Sequence, residues 1–179
     1  MHPWFFCLFL NQKLIVVYIA LGSNLGNRFE LLQKAVLRLA QRVGKIESVS
    51  RVFVAPAWGF ESDPFLNACI QVKTEYTPLE LIDILLEIEN ELGRSRNDTE
   101  GYKARSIDLD ILLFNNQIIN HKRLQIPHPR MELRQFVLTP LADIASEVVH
   151  PKLNKNILDI KHKCTDDSVL ELWDKELKF

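Results

Sequence analysis

Leu14 to Leu21, LIVVYIAL, is an unbroken apolar run of strand length, rich in β-branched side chains, that stops at Gly22-Ser23-Asn24. A strand without polar alternation is expected to be central and buried on both faces, so the rest of the chain must supply its neighbours. From Asn27, the apolar positions Phe29, Leu32, Val36, Leu39, Ala40 and Val43 step by three and four up to Gly44, which predicts an amphipathic helix with a C-terminal stop. Lys45 to Val54 has strand composition. Phe65 to Thr74 alternates, with Leu66, Ala68, Ile70 and Val72 on one face and Phe65, Asn67, Cys69, Gln71 and Lys73 on the other.

Thr77-Pro78-Leu79-Glu80 is a capping box with proline at the first helical position. It opens a second helix through Leu81, Leu85, Ile88 and Leu92 to Gly93. A polar loop follows, then a strand from Ile107 to Phe114. Asn115-Asn116 predicts a hairpin turn into Gln117-Ile118-Ile119, and a short helix is expected near Arg134 to Ala142. The order β-α-β-β-α-β matches an α+β, ferredoxin-like antiparallel sheet with helices on one face, here with a C-terminal extension. That fold by itself specifies no function.

A chain of 179 residues, 47% apolar and 25% charged, suits one sizeable core. The expected organisation is an N-terminal extension over 1–13 and a single domain over 14–179. Twenty-two Lys and Arg balance 23 Asp and Glu, so no overall charge draws the chain to nucleic acid or an anionic membrane. Cys7, Cys69 and Cys164 are odd in number, widely spaced and without Cys/His ligand spacing, which predicts a reduced, cytoplasmic chain without structural zinc. The apolar WFFCLFL near the N-terminus lacks a basic flank and a small-residue cleavage site, and falls short of the ~20 residues of a membrane span.

The strand IDLDILLF, Ile107 to Phe114, sets Asp108 and Asp110 on one face, roughly 6.6–7 Å apart along the backbone. Ile107, Leu109, Ile111 and Leu113 are expected on the core face, and Leu112 and Phe114 beside the aspartates. Two like charges at that spacing raise each other's pKa unless something positive lies near. A solvated sheet face and a cation site both meet this pattern. Arg94, Arg96, Lys103 and Arg105 precede the pair, and Lys122, Arg123, Arg130 and Arg134 follow it, with His121 and His128 interspersed. Singly, each basic residue is an ordinary loop side chain. Together with two carboxylates they describe a Mg-nucleotide site, because Mg²⁺ is held by one or two carboxylates plus substrate phosphates and arginine forks suit phosphate oxygens. The Gly22-Ser23-Asn24 turn matches neither G-x-G-x-x-G nor a Walker A loop.

YIALGSNLGNR (Tyr18 to Arg28), FLNA (Phe65 to Ala68), LGRSR (Leu92 to Arg96), RSIDLDILLF (Arg105 to Phe114) and LQIPHPRMELRQFVLTPL (Leu124 to Leu141) occur here in order. In order and spacing they resemble the 6-hydroxymethyl-7,8-dihydropterin pyrophosphokinase family of folate biosynthesis, over about Val16 to Pro151. The resemblance implies transfer of the β,γ-diphosphate of ATP to the pterin hydroxymethyl oxygen, with release of AMP. It implies two Mg²⁺ held by Asp108 and Asp110 and catalytic arginines at Arg94 and Arg105. It further implies ATP contacts from Glu89, Arg96, Ile111, Arg123, Leu124, His128 and Arg134. Pterin contacts are implied from Ala55, Pro56, Trp58, Phe65, Asn67 and Phe136, with the two phenylalanines sandwiching the ring and Asn67 hydrogen-bonding it.

The implied partners are ATP and hydroxymethyldihydropterin, with no nucleic acid, membrane or obligatory protein partner. The chain departs from the common pattern at GYKAR (Gly101 to Arg105), which leaves Tyr102 and Lys103 without assigned roles, and at Leu86, Ala55 and Trp58. Two other classes fit paired aspartates on such a sheet: another metal-dependent nucleotidyl or phosphoryl transferase, and a non-catalytic nucleotide sensor.

Overall fold

The computed structural model describes residues 14–59, 61–94 and 105–179; the expected extension over 1–13 lies outside them. In chain order the elements are β1 (Ile15–Ser23), α1 (Arg28–Arg42), β2 (Lys45–Val49), β3 (Phe53–Ala55), β4 (Phe65–Thr74), α2 (Pro78–Glu91), β5 (Asp108–Phe114), β6 (Ile119–His121) and β7 (Leu124–Ile126). A 3-10 turn (Met131–Leu133), α3 (Gln135–Ala145), β8 (Val149–His150), β9 (Lys155–Asn156), α4 (Ile157–His162) and β10 (Glu171–Leu172) follow.

Both early helices start on side-chain caps. Asn27 accepts the Glu30 amide, and Thr77 and Glu80 cap each other reciprocally, satisfying amides that the first turn leaves without intrahelical partners. The main sheet is antiparallel, in the order β10-β3-β4-β1-β5, and β2 also pairs with β4. β1 is central, as its apolar run requires. This is the ferredoxin-like arrangement.

One side of the sheet packs Val17, Ile19, Leu21, Leu66, Ile70 and Leu109 against Leu32, Leu39, Leu81, Leu85 and Ile88 of α1 and α2. Each such side chain, fully buried, contributes about 1.5–3 kcal/mol. The C-terminal part covers the other side, where Tyr18, Cys69, Leu112 and Leu113 bury against Val137, Leu138 and Leu141 of α3 and Ile157 and Ile160 of α4.

Three local expectations are corrected. The alternation of β5 breaks at a bulge: Ile111 faces Ile19 and Leu113 faces Tyr18, leaving Leu112 as the extra residue. Leu112 and Leu113 therefore both enter the α3 side and Phe114 enters the α1/α2 side, the reverse of strict alternation for the last two. The strand composition of 45–54 splits into β2 and β3. Between them the Ser50 hydroxyl accepts the Cys69 amide at 2.9 Å, and Arg51 is drawn to Asp143 of α3 at 2.5 Å.

The third correction concerns the Asn115 turn. It forms, at φ 48°, but Ile119–His121 pairs with β7 and does not return along β5. The two-residue Lys122-Arg123 connection that closes this hairpin carries none of the usual turn residues.

Candidate active site

A cavity of about 280 Å³ opens on the α3 side of the sheet, around Gly22 near the C-terminal end of β1. Its floor follows from register. Gly22 is paired with Asn67 of β4 on one side and with Asp108 of β5 on the other; one step along, Ala20 lies between Cys69 and Asp110. The central strand thus presents its two smallest residues between the amide and the carboxylates. A methyl group at Gly22 would meet Asn67 Oδ1 at 3.5 Å and Asp108 Cβ at 4.0 Å, so those side chains converge over the bare backbone.

Among the residues expected from the sequence, Pro56, Trp58, Phe65, Asn67, Arg94, Arg105, Asp108, Asp110, His128, Arg134 and Phe136 all line this cavity. Phe65 and Asn67 share a face of β4, as alternation requires. The aromatic wall extends to Arg134, whose guanidinium lies 4.8 Å from the Trp58 ring and 5.7 Å from that of Phe136. Such cation–aromatic contacts attract the guanidinium to the ring faces.

The opposite wall is an ionic cluster. Asp108 receives Arg94 Nη1 on Oδ1 at 2.5 Å and Arg105 Nη1 on Oδ2 at 2.6 Å. Arg94 also pairs with Glu89, which is buried at the end of α2 and accepts the Leu109 amide at 2.8 Å. Glu89 thus fixes both Arg94 and the backbone between the two aspartates. Burial, with Asp108 and Glu89 adding to it, pushes the Asp110 carboxyl up to about 7, against the pull of Arg105 and Arg94. Its side chain nevertheless keeps 42% of its surface exposed, and it lines the cavity.

His128 Nε2 is 3.8 Å from Asp110 Oδ2, too far for a hydrogen bond. Burial, reinforced by Arg134, holds the imidazole down to about 4, so it is neutral at pH 7. Its amide donates to the Leu112 carbonyl at 2.9 Å, tying the PHP loop to the bulge of β5.

Other expected residues lie elsewhere. Arg123 pairs with Asp83 on the exposed surface of α2, outside the cavity lining. Ile111 and Leu124 bury their side chains in the main core, and Ala55 is likewise buried, which leaves only their backbone for a ligand. Arg96, Tyr102 and Lys103 lie outside the described residues. Arg130, one of the basic residues flanking the aspartates, also lines the cavity, whereas Ala20 and Gly22 in the lining, and Asn24 bonded to Arg105, carried no expected role. Asn24 Oδ1 accepts the Arg105 amide at 2.7 Å, and Nδ2 donates to Ser62 Oγ at 2.8 Å and the Asp63 carbonyl at 3.2 Å. The Gly22-Ser23-Asn24 turn was the available signal, although it matches no phosphate loop.

Among the described residues no three His, Cys, Asp or Glu side chains gather to hold a metal on their own. Two adjacent carboxylates, one pushed toward neutrality by its neighbours, do suit a hard divalent cation whose remaining ligands are water and phosphate. Among the described residues, no helix is long and apolar enough to cross a membrane.

Solved structures share this fold. A chain described as HPPK-DHPS in complex with substrates aligns with a TM-score of 0.71 at 17% identity, over 84% of this chain and 43% of that one. Wild-type Plasmodium falciparum HPPK-DHPS gives 0.67 at 18% identity, over 84% and 45%. This chain spans less than half of either, and at such identities the likeness concerns the fold alone.

Sequence relatives are nearer. The 2-amino-4-hydroxy-6-hydroxymethyldihydropteridine pyrophosphokinase of Porphyromonas gingivalis is 43% identical over 140 residues, covering 76% of this chain and 95% of that protein. The enzyme of the same name from Bacillus subtilis is 44% identical over 135 residues, covering 74% and 80%. The profile of the 7,8-dihydro-6-hydroxymethylpterin-pyrophosphokinase family matches residues 18–146, a stretch that holds every described lining residue of the cavity. On this match and these identities, the chain belongs to the 7,8-dihydro-6-hydroxymethylpterin-pyrophosphokinase family.

Proposed function

We propose that this chain transfers diphosphate from ATP to the hydroxymethyl group of 6-hydroxymethyl-7,8-dihydropterin, releasing AMP, as a step of folate biosynthesis. The observation that carries the reading is the row Asn67–Gly22–Asp108 across β4, β1 and β5, which sets an amide-and-aromatic subsite against a carboxylate-and-arginine subsite in one cavity. A flat heterocycle and a polyphosphate need these two kinds of wall, side by side.

Phe65 and Phe136 offer faces to the pterin, each aromatic pair adding about 0.5–1.5 kcal/mol beyond area burial. The Asn67 amide presents both a donor and an acceptor to the ring edge, and Pro56 and Trp58 close the side. The hydroxymethyl oxygen attacks the β-phosphorus, the bond from that phosphorus to the α,β-bridging oxygen breaks, and AMP departs with the electron pair. The hydroxyl proton passes to solvent.

Such a transfer leaves little covalent work for protein groups, so alignment and charge neutralisation dominate. Arg94 and Arg105 exchange Asp108 for phosphate oxygens, while Glu89 keeps Arg94 at its post. Arg134 and neutral His128 hold the nucleotide from the α3 side, joined by Arg123 once it leaves Asp83 and by Ile111 and Leu124 through their backbone. Asp108 and Asp110 would hold two Mg²⁺. When bound, these ions neutralise the triphosphate and polarise the phosphorus under attack. We read 14–179 as one pyrophosphokinase domain working in the cytoplasm, with no nucleic acid and no obligatory protein partner.

Incubation with ATP, Mg²⁺ and hydroxymethyldihydropterin tests the reading. AMP formed only when the pterin is present supports it. ADP or inorganic pyrophosphate as product would redirect it to another transferase, and binding without turnover would favour a sensor.

A further inference from the structure

We infer that the C-terminal tail, through Trp173, is a strap that positions the pterin loop between Ala55 and Phe65; the inference rests on the pterin reading above. The tail lies beyond residues 18–146, the span of the family match.

Ala55 and Phe65 are directly paired, so the loop that carries Pro56 and Trp58 leaves and returns at one point of the sheet. β3, which launches it, is only three residues long, and its outer edge is closed by β10 through Glu171↔Val54 and Leu172↔Phe53. The Trp173 amide extends that pairing with a 2.9 Å bond to the Val52 carbonyl. A three-residue strand paired on one side only would fray, and the tail supplies its second side.

The return limb is held by the same tryptophan. The Arg28 guanidinium lies 5.7 Å from the Trp173 ring, and Arg28 Nη1 donates to the Pro64 carbonyl at 2.5 Å, one residue before Phe65. Trp173 itself is partly buried and packs on the main core. Beyond it the tail is anchored: Leu177 is buried in the main core, and Lys178 exchanges backbone bonds of 2.9 and 2.7 Å with the Gln33 side chain on α1. One residue therefore serves both supports of the pterin loop, its amide bonding Val52 and its ring stacking on the Arg28 that holds Pro64, and none of these contacts reaches Asp108, Asp110, Arg94 or Arg105. Trp173 is a positioning residue, acting on the pterin side of the cavity alone.

Trp173→Leu keeps apolar burial and removes the stack on Arg28. Its pterin KM is expected to rise about fivefold, the loss of one partly desolvated cation–aromatic contact. Its kcat and its affinity for a non-hydrolysable ATP analogue with Mg²⁺ stay at wild-type values. Hydrogen–deuterium exchange speeds up at 57–59 and 61–63 while α2 and β5 keep their protection. Trp173→Phe restores both readouts, and Arg28→Gln moves them in the same direction as Trp173→Leu.

Unchanged pterin KM and unchanged exchange in Trp173→Leu would overturn the strap. So would weakening of pterin and nucleotide alike with faster exchange throughout, which marks general destabilisation. If the wild-type chain makes no AMP with the pterin, the functional reading fails, and the exchange comparison still decides whether Trp173 holds the loop.

Discussion

The Arg105 amide donates to Asn24 Oδ1 at 2.7 Å, and the Arg105 carbonyl accepts the Asn24 amide at 3.2 Å, so the turn after β1 is locked onto the entrance of β5. The same Asn24 side chain reaches Ser62 and Asp63 on the pterin loop. Asn24 is 2% exposed, so water cannot replace these bonds cheaply. Asn24→Ala should cost about 1–3 kcal/mol in urea unfolding, the desolvation of buried groups left without partners. It should also lower turnover, because the Arg105 amide loses its side-chain acceptor while only the Asn24 amide bond to the Arg105 carbonyl remains. Unaltered stability and rate would show that Asn24 only fills space.

Asp110→Asn is expected to reduce AMP formation by at least about 10²-fold, as removal of a preorganised charge-stabilising group does. The fold should survive without loss. Asp110 is already pushed toward its neutral form by burial and by Asp108 and Glu89, and asparagine resembles that form. Thermal unfolding at pH 7.5 should therefore match wild type or exceed it, and pterin binding should persist. A variant that retains near wild-type rate would rule out Asp110 as a metal-holding carboxylate.

Gly44 stops α1 at φ 153°, where a Cβ would come within 2.1 Å of the Lys73 carbonyl oxygen on β4. Both groups are backbone, and neither can swing aside. Gly44→Ala should destabilise by about 1–3 kcal/mol or more, with the active-site chemistry untouched once folded. Chemical denaturation together with kcat at low temperature separates the two effects.

His150 is buried, and its Nδ1 accepts the Lys152 and Leu153 amides at 3.3 and 3.2 Å, which requires an unprotonated nitrogen. Burial holds its pKa below the ordinary value of 6.5. As pH falls through 6.5 the unfolded imidazole takes a proton before the folded one, so the stability it contributes is full above that pH and lost below it. His150→Asn offers an uncharged acceptor. The stability advantage of wild type over this variant should shrink between pH 7.5 and 5.5; an advantage constant with pH would show that the imidazole does not titrate on unfolding.

Much of the site was legible in the sequence because period-two geometry is local. Asp108 with Asp110, and Phe65 with Asn67, share faces in any straight strand, and the basic residues flanking the aspartates announce an anionic ligand. What depends on distant pairing was hidden. The bulge at Leu112 arises from the register between β5 and β1. Arg123 has the spacing of a ligand residue, but Asp83 of α2 lies within its reach and takes its guanidinium outside the cavity lining. The tail looked like a mixed, charged segment because Glu171 and Leu172 make too short a strand to carry a pattern, and its value lies in the edge it closes. Asn24 read as turn chemistry, and only tertiary structure brings Arg105 and Ser62 within reach of one amide.

Ala20 and Gly22 sit in the central strand between β4 and β5, and both open onto the cavity on the α3 side. Enlarging either residue takes room from the cavity while the packing against α1 and α2 on the reverse face stays intact. Bulk at these two positions is therefore expected to cost the cavity more than the α1/α2 core. A descendant with bulk there would remain a sound fold that had lost its trade.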